Sequence, residues 1–412
     1  MRIVFFTLMA ILAATAARAG ENWPQFRGPG GHGVSQETGL PLTWSESEHV
    51  AWKTAIHGRG WSSPVIWGKQ IWMTTAPEDG TKLYAVCVDR ETGRIIHDKL
   101  VFEIDDPQYC YPLNSYASPT PFIEEGRVWV HFGVHGTACL DTATGEVLWT
   151  RQDLKCYHHR GPASSPIVHA NLLFVAFDGF DVQFVVALDK TTGKTVWQRD
   201  RNIDYGTEDG DAKKAYGTAK VIEVNGQEQM VYPSAGATIA YEPQSGEELW
   251  RVRHGGMNAC APPIFADGKL YLGTASGGWK LFAMQVGGRG DLTNTAVEWK
   301  CDKGVPARSS PLLVGDLIFM VSDAGVASVV EAKTGKPVRQ RRLEGEFSTS
   351  PMYADGRVYL SNQDGSSFVL SADRELELLA TNKLDAGTMA SPAVYDKAIY
   401  LRTKTHLYRL EQ

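Results

Sequence analysis

Short runs of alternating apolar and polar residues recur along the chain, and each run is bounded by Gly, Asp or Pro. The runs at 270–272 and 357–360 are examples. Alternation with a period of two between such residues is typical of β-strands. Apolar residues do not recur at helical spacing, so the chain is predicted to be all-β.

A small residue followed by proline precedes an apolar run seven times, and Gly217-Thr218-Ala219 occupies the one wide gap. The seven steps are Ser63-Pro64, Ser118-Pro119, Ser165-Pro166, Pro262-Pro263, Ser310-Pro311, Ser350-Pro351 and Ser391-Pro392. With Ala219 as the stand-in, successive steps are 55, 47, 53, 44, 48, 40 and 41 residues apart. This is about the length of one propeller blade. We therefore predict an eight-bladed β-propeller of four-stranded antiparallel blades.

The two ends of the chain complement each other. The eighth unit, 391–412, stops before the closing strand that the other units carry, and a strand of that type stands at 50–53. An N-terminal strand that completes the last blade would close the ring and leave no exposed edge between its ends. We predict one propeller domain over 40–412, preceded by a lead segment over 20–39.

The first 19 residues have the features of a secretory signal peptide. Arg2 precedes an apolar run over 3–16, and Ala17-Arg18-Ala19 forms a small-residue cleavage site. The run is shorter than the roughly 20 residues that span a bilayer, and no later stretch is long and apolar enough. We expect cleavage after Ala19 and a soluble protein in the periplasm or outside the cell.

Composition narrows the class of partner. The chain has 41 Lys and Arg against 47 Asp and Glu, a net charge of −6, which argues against a nucleic-acid partner. We expect a monomer.

The chain has six cysteines, which could form disulfides in an exported protein. Cys110 with Cys156 is one possible pair, and free thiols are the other possibility.

Five units end in an acidic residue and a Thr-Gly or Ser-Gly turn, and three of these carry a Trp four residues after the Gly. Asp141 to Gly145 with Trp149 is one instance. The pattern resembles the tryptophan-docking motif of the pyrroloquinoline quinone (PQQ)-like β-propellers, which include quinoprotein alcohol dehydrogenases and BamB-like exported proteins. The resemblance implies that one set of tryptophans packs between blades: Trp52, Trp149, Trp197, Trp250 and Trp299. His97 and Arg339 replace this Trp in two units, and the fifth unit carries an insertion over 287–295.

A propeller binds its ligands at one mouth of the central channel. The positions three residues before each Pro step form a candidate ring there, and Arg59 and Arg160 lie just before it. Guanidinium and aromatic groups together suit a planar polycarboxylate or the acidic end of a peptide. The ligand- or partner-binding candidates are Arg59, Trp61, Tyr116, Arg160, Tyr216 and Arg308. Alternatively, each Arg pairs with a nearby acidic residue, such as those over 204–211.

A quinoprotein dehydrogenase would need more, as the resemblance implies: an Asp base, a Ca²⁺ ion beside PQQ and usually two adjacent cysteines. The chain has no Cys-Cys pair. The possible catalytic residues are Asp178, Asp323 and Asp364, in loops between second and third strands, although Asp-Gly is also ordinary turn chemistry. No metal site is predicted.

The sequence therefore favours a non-enzymatic scaffold in the cell envelope that binds a protein or peptide. Two alternatives remain. One is a PQQ-dependent alcohol or sugar dehydrogenase that uses Ca²⁺ and an external electron acceptor. The other is a non-catalytic binder of a carbohydrate or another small ligand.

Overall fold

The computed structural model describes residues 21–412, so the predicted signal peptide lies outside the described residues. The described chain contains 33 strands and three single-turn 3₁₀ helices, Pro29–Gly31, Gly133–His135 and Gly210–Lys213. The strands form eight antiparallel blades, seven of four strands and one with an added fifth. The prediction of an all-β, eight-bladed propeller is confirmed.

Blades one to four follow the chain in order. Blade one contains β2 (Val65–Trp67), β3 (Gln70–Thr75), β4 (Lys82–Asp89) and β5 (Ile95–Glu103). Blade two contains β6 (Phe122–Glu124), β7 (Arg127–His131), β8 (Thr137–Asp141) and β9 (Val147–Arg151). Blade three contains β10 (Ile167–His169), β11 (Leu172–Asp178), β12 (Gln183–Asp189) and β13 (Thr195–Asp200). Blade four contains β14 (Lys220–Val224), β15 (Gln227–Pro233), β16 (Ala237–Tyr241) and β17 (Glu248–Arg253).

Blades five to eight complete the circle. Blade five contains β18 (Ile264–Ala266), β19 (Lys269–Gly273), β20 (Leu281–Gln285) and β22 (Val297–Cys301). Blade six contains β23 (Leu312–Val314), β24 (Leu317–Val321), β25 (Val326–Glu331) and β26 (Pro337–Arg342). Blade seven contains β27 (Met352–Ala354), β28 (Arg357–Ser361), β29 (Ser366–Ser371) and β30 (Leu378–Lys383). Blade eight contains β31 (Ala393–Tyr395), β32 (Ala398–Arg402), β33 (His406–Leu410) and the N-terminal β1 (Val50–Ala55).

The ring closes through the N-terminal strand, as predicted. β1 is antiparallel to β33, with Lys53 opposite Tyr408 and Thr54 opposite Leu407. The last strand of the chain therefore has a partner on both sides, because it also pairs with β32.

The insertion in blade five adds a fifth strand to blade four. β21 (Gly290–Asp291) runs parallel to β17, with Asp291 opposite Arg251. The Arg253 guanidinium donates to Asp291 at 3.0 Å. The insertion therefore covers the outer edge of blade four, which would otherwise leave backbone groups unpaired.

The hydrophobic core lies between neighbouring blades. One cluster joins Val65 and Trp72 of blade one to Val128 and Val130 of blade two, and all four are fully buried. The central strands of the blades read as near-continuous apolar runs because both of their faces are covered.

Most of the tryptophans of the predicted motif lie over the turn of the next blade. A Cβ added to Gly193 would come within 2.7 Å of the Trp149 ring, and the Trp149 indole N–H donates to the Lys190 carbonyl at 3.1 Å. Trp52, Trp197 and Trp299 have the same two kinds of contact in their neighbouring blades. Trp250 differs because blade five lacks the turn: its indole N–H donates to Gln229 in its own blade, at 2.8 Å.

Candidate functional site

A girdle of hydroxyl groups surrounds the central channel. In six places the backbone N–H of one blade donates to the Ser or Thr hydroxyl at the start of the next, at 2.9–3.1 Å. The girdle comprises Ser63, Thr120, Ser165, Thr218, Ser310, Ser350 and Ser391. It is interrupted at blade five, where Pro262 offers neither an N–H nor a hydroxyl.

The girdle sets the register of the blade-two repeat. Thr120, not Ser118, occupies the girdle position, so the step that leads into blade two is Thr120-Pro121. The residue three before that proline is Ser118, which lines the channel. Tyr116 instead lies beneath a loop, where its hydroxyl donates to the Gln108 carbonyl at 2.7 Å and its ring contacts His135. Because Ser118-Pro119 and Thr120-Pro121 follow each other directly, the sequence alone does not show which of them leads into blade two.

The lead segment lines the lower part of the channel. Trp23 pairs with Ile66 of β2 through two backbone hydrogen bonds, and the Pro24 carbonyl accepts from Ile123 of β6. Further along, the Gly33 carbonyl accepts from the N–H of Tyr353 in β27. The segment thus passes from blades one and two to blade seven along the channel-facing edges of the innermost strands.

The upper part of the channel is a cavity of about 390 Å³. Its mouth lies on the upper face, which carries the loops that lead into the innermost strands. Phe26 of the lead segment lines it together with the girdle. Seven of the eight positions in the predicted ring line it as well, with Ser118 in place of Tyr116: Trp61, Ala163, Tyr216, Cys260, Arg308, Ser348 and Met389.

Arg308 is held at the cavity by Asp323. The Arg308 Nε donates to one carboxylate oxygen at 2.9 Å, and the backbone N–H groups of Ala307 and Arg308 donate to the other. The Nη1 atom of Arg308 is buried and has no hydrogen-bond partner. Asp323 therefore orients Arg308 and has its own oxygens occupied, which argues against its role as a base.

Arg160 lines the cavity from blade three. Its Nη2 donates to Asp211 at 2.9 Å, and its guanidinium lies 5.7 Å from the centre of the Tyr111 ring. Asp211 also pairs with Lys214, whose side chain is fully buried. Arg160 and Arg308 are thus both paired with acidic residues, as the alternative interpretation of the sequence allowed, yet both still line the cavity.

Arg59 and Trp61 stand together at the rim. The Arg59 guanidinium lies 5.0 Å from the centre of the Trp61 ring and 3.7 Å from Glu78. The Trp61 indole N–H donates to the Leu113 carbonyl at 3.1 Å. Of this pair only Trp61 lines the cavity, and Arg59 supports it from behind.

Tyr216 and Cys260 line the cavity between blades three and five. The Tyr216 hydroxyl is buried without a hydrogen-bond partner, and burial raises the pKa of Tyr216. Burial also raises the pKa of the Cys260 thiol to about 12, so the thiol stays protonated. All six cysteines are free thiols.

Asp178 and Asp364 lie away from the cavity lining. The Asp178 carboxylate is fully buried and accepts two hydrogen bonds from Arg201, at 2.8 and 2.7 Å. Asp364 is an exposed turn residue whose N–H donates to Asn362. Neither residue is among those that line the cavity.

The cavity does not fit a Ca²⁺-bound quinone. Ca²⁺ takes six to eight oxygen ligands, typically including carboxylates, and none of the described residues that line the cavity is acidic. Nor do the described residues contain a cluster of three or more His, Cys, Asp or Glu side chains that could hold a metal ion.

No helix in the described part of the chain is long and apolar enough to cross a membrane.

An exposed aromatic strip, which the repeat pattern of the sequence does not indicate, lies beside the cavity. Among the described residues, eleven large hydrophobic side chains are exposed; six lie on outermost strands and five on the upper face. We call these five, with exposures of 38–54%, the aromatic strip: Tyr109, Tyr111, Leu113, Tyr157 and Val182. Tyr111 and Leu113 also line the cavity, so the strip continues into its mouth.

The chain is similar in sequence to two groups of known proteins, the assembly factor BamB and the quinoprotein dehydrogenases. The outer membrane protein assembly factor BamB of Shewanella oneidensis is 22% identical over 306 residues, which cover 68% of this chain and 70% of that protein. The quinoprotein ethanol dehydrogenase of Pseudomonas putida is 26% identical over 172 residues, 38% of this chain. The aligned part spans only 26% of that dehydrogenase.

Similarity extends to the fold and to a family model. The crystal structure of BamB from Moraxella catarrhalis superposes with a TM-score of 0.63 at 13% identity, covering 88% of this chain and 99% of that one. The family model described as outer membrane protein assembly factor BamB matches residues 51–200 and 240–412. The chain therefore belongs to the family of the outer membrane protein assembly factor BamB.

Proposed function

We propose that the protein is an exported, monomeric and non-enzymatic scaffold of the cell envelope, and that it binds a segment of a protein partner on its upper face. The observation that carries the proposal is the aromatic strip. Exposed patches of this kind, next to fixed charged groups, are typical of binding sites. The assembly-factor relatives support a role among envelope proteins.

The strip is built to stay in place. Tyr157 packs against Phe180 at 5.8 Å between ring centres, and its backbone N–H donates to Asp181 at 2.7 Å. The Arg160 guanidinium lies 5.7 Å from the centre of the Tyr111 ring. A rigid aromatic surface loses little conformational entropy when it is covered by a partner.

The charged and aromatic residues at the mouth would add specificity. Arg160, Tyr216 and Arg308 line the cavity and would bind acidic or polar groups of the partner, while Arg59 would hold Trp61 at the rim beside them. Tyr116 would act indirectly, because it supports the loop that carries Tyr109 and Tyr111.

Site-specific photo-crosslinking in the envelope of the producing cell tests the proposal. A photoreactive residue at Tyr109 or Tyr157 should yield a defined adduct with an envelope protein. A matched residue at Leu148, which is 47% exposed on an outermost strand, should not. Equal yields at all three positions would contradict docking on the upper face. Mass spectrometry of the exported protein should find Gly20 as the first residue.

The dehydrogenase alternative has its own test. The dehydrogenase relatives make PQQ a cofactor to examine, although the carboxylates that would hold Ca²⁺ are missing from the described cavity lining. We expect that PQQ with Ca²⁺ neither raises the melting temperature nor supports dye reduction with an alcohol. Dye reduction that is lost in Asp323→Asn would restore the enzyme assignment.

A further inference from the structure

Two residues that line the cavity carry hydrogen-bond donors that the protein itself does not satisfy. The Tyr216 hydroxyl and Arg308 Nη1 are both buried and unpaired, and both residues line the same cavity. Buried polar groups are nearly always hydrogen-bonded. The Asn258 Oδ1 atom is an unpaired acceptor in the same lining. The two unpaired donors, on Tyr216 and Arg308, call for a ligand that accepts hydrogen bonds.

The charge of the lining indicates an anion. Arg160 and Arg308 are its charged members, and no acidic side chain lines the cavity among the described residues. The acids that pair with these arginines are Asp211 for Arg160, and Asp323 with Glu346 for Arg308; none of them is among the residues that line the cavity. A guanidinium has five N–H groups, so one that is already paired with carboxylates keeps further N–H groups for another acceptor.

The rest of the lining indicates an apolar body. Trp61, Tyr111, Leu113 and Met389 lie on the walls, and Phe26 contributes from the lead segment. A volume of about 390 Å³ lies within the range of small-ligand sites, roughly 300–1,000 Å³. An aromatic or aliphatic group would fill this space beside the anionic group.

We propose that the channel cavity binds a carboxylate attached to an apolar body, with Arg308, Tyr216 and Arg160 as the groups that receive the carboxylate. Two sources share this chemistry: a free organic acid, or the C-terminal residue of a peptide. Tyr111 and Leu113 belong both to the cavity lining and to the aromatic strip, but a carboxylate in the cavity does not require that a partner covers the strip.

Calorimetric titration with paired probes tests the ligand class. The probes are N-acetyl-phenylalanine and Ac-Ala-Ala-Phe, each as the free acid and as the C-terminal amide. We expect at least one free acid to bind about tenfold or more tightly than its amide, with affinity that falls as salt rises. Whichever acid binds more tightly identifies the source. Equal binding of acid and amide, or no binding of either acid at about 5 mM, would overturn the proposal.

Variants locate the site. Tyr216→Phe removes only one hydroxyl and should weaken binding of the acid about three- to tenfold, without affecting the amide. Arg308→Gln should weaken it about tenfold or more. Arg374→Gln is the matched control, because Arg374 pairs with Asp316 and Glu331 away from the cavity. Wild-type affinity in Tyr216→Phe together with Arg308→Gln would refute the assignment.

Loss of binding is separated from loss of fold by circular dichroism of each variant. Failure of this inference is also distinct from failure of the proposed scaffold role. The crosslinks at Tyr109 and Tyr157 report on the strip, whereas the titrations report on the cavity.

Discussion

Replacement of Asp178 by Ala should destabilise the protein strongly. The Asp178 and Arg201 side chains are 0% and 1% exposed and are joined by two hydrogen bonds. The Arg201 guanidinium also lies 4.7 Å from the centre of the Tyr232 ring. Removal of the carboxylate leaves a guanidinium buried without a counter-charge, and the surrounding strands of blades three and four give water no access to it.

The size of the effect follows from the burial. Breaking a buried ion pair by removing one partner costs about 3–5 kcal/mol, whereas replacing both partners by apolar residues of similar volume is often close to neutral. We therefore expect Asp178→Ala to lower the free energy of unfolding by about 3–5 kcal/mol. The double variant Asp178→Leu with Arg201→Met should recover most of this loss.

Urea unfolding at pH 7 measures these values. Asp364→Ala is the matched control, because this carboxylate is exposed in a turn. A loss below about 1 kcal/mol for Asp178→Ala would show that the pair does not act as a buried ion pair. A double variant no more stable than the single one would equally contradict the reasoning.

Two further predictions concern stability. Gly193→Ala should cost about 1–3 kcal/mol more than Gly226→Ala in denaturation experiments, because both glycines have positive φ but only Gly193 lies against a tryptophan ring; equal costs would exclude that contact as the cause. Burial, reinforced by His135, lowers the pKa of His158 to about 4, so the folded state binds fewer protons than the unfolded state, and stability should be complete above about pH 6.5 and fall by about 3 kcal/mol toward pH 4. His158→Gln should lose less stability than the wild type between pH 7 and pH 4.5; an identical loss would contradict this.

The architecture could be predicted from the sequence because each blade repeat is marked by turn residues that lie close together in the chain. Asp141 shows why: its carboxylate accepts from the N–H groups of Ala143 and Thr144, all within one short segment. The degenerate step at blade four was also placed correctly, since the Thr218 hydroxyl takes the girdle position. Closure by β1 followed from counting strands.

The site was harder to predict because its determinants are distant in sequence. Blade two offers Ser118-Pro119 and Thr120-Pro121, and only the girdle contacts from neighbouring blades distinguish them. Asp178 looked like a turn residue, whereas its partner Arg201 is 23 residues away. The contribution of Phe26 to the cavity could not be read from the sequence, because nothing local indicates that the lead segment enters the channel.

Closure of the ring has a consequence for how the protein folds. The N–H of Ser391 donates to the hydroxyl of Ser63, 328 residues earlier in the chain, and β1 finds its partner only in β33. β1 is therefore synthesised before every other strand of the propeller but is the last of them to be paired. Contacts of such long range form slowly, and incomplete chains expose an unpaired edge. Successful folding therefore requires the whole chain to be present before the ring closes.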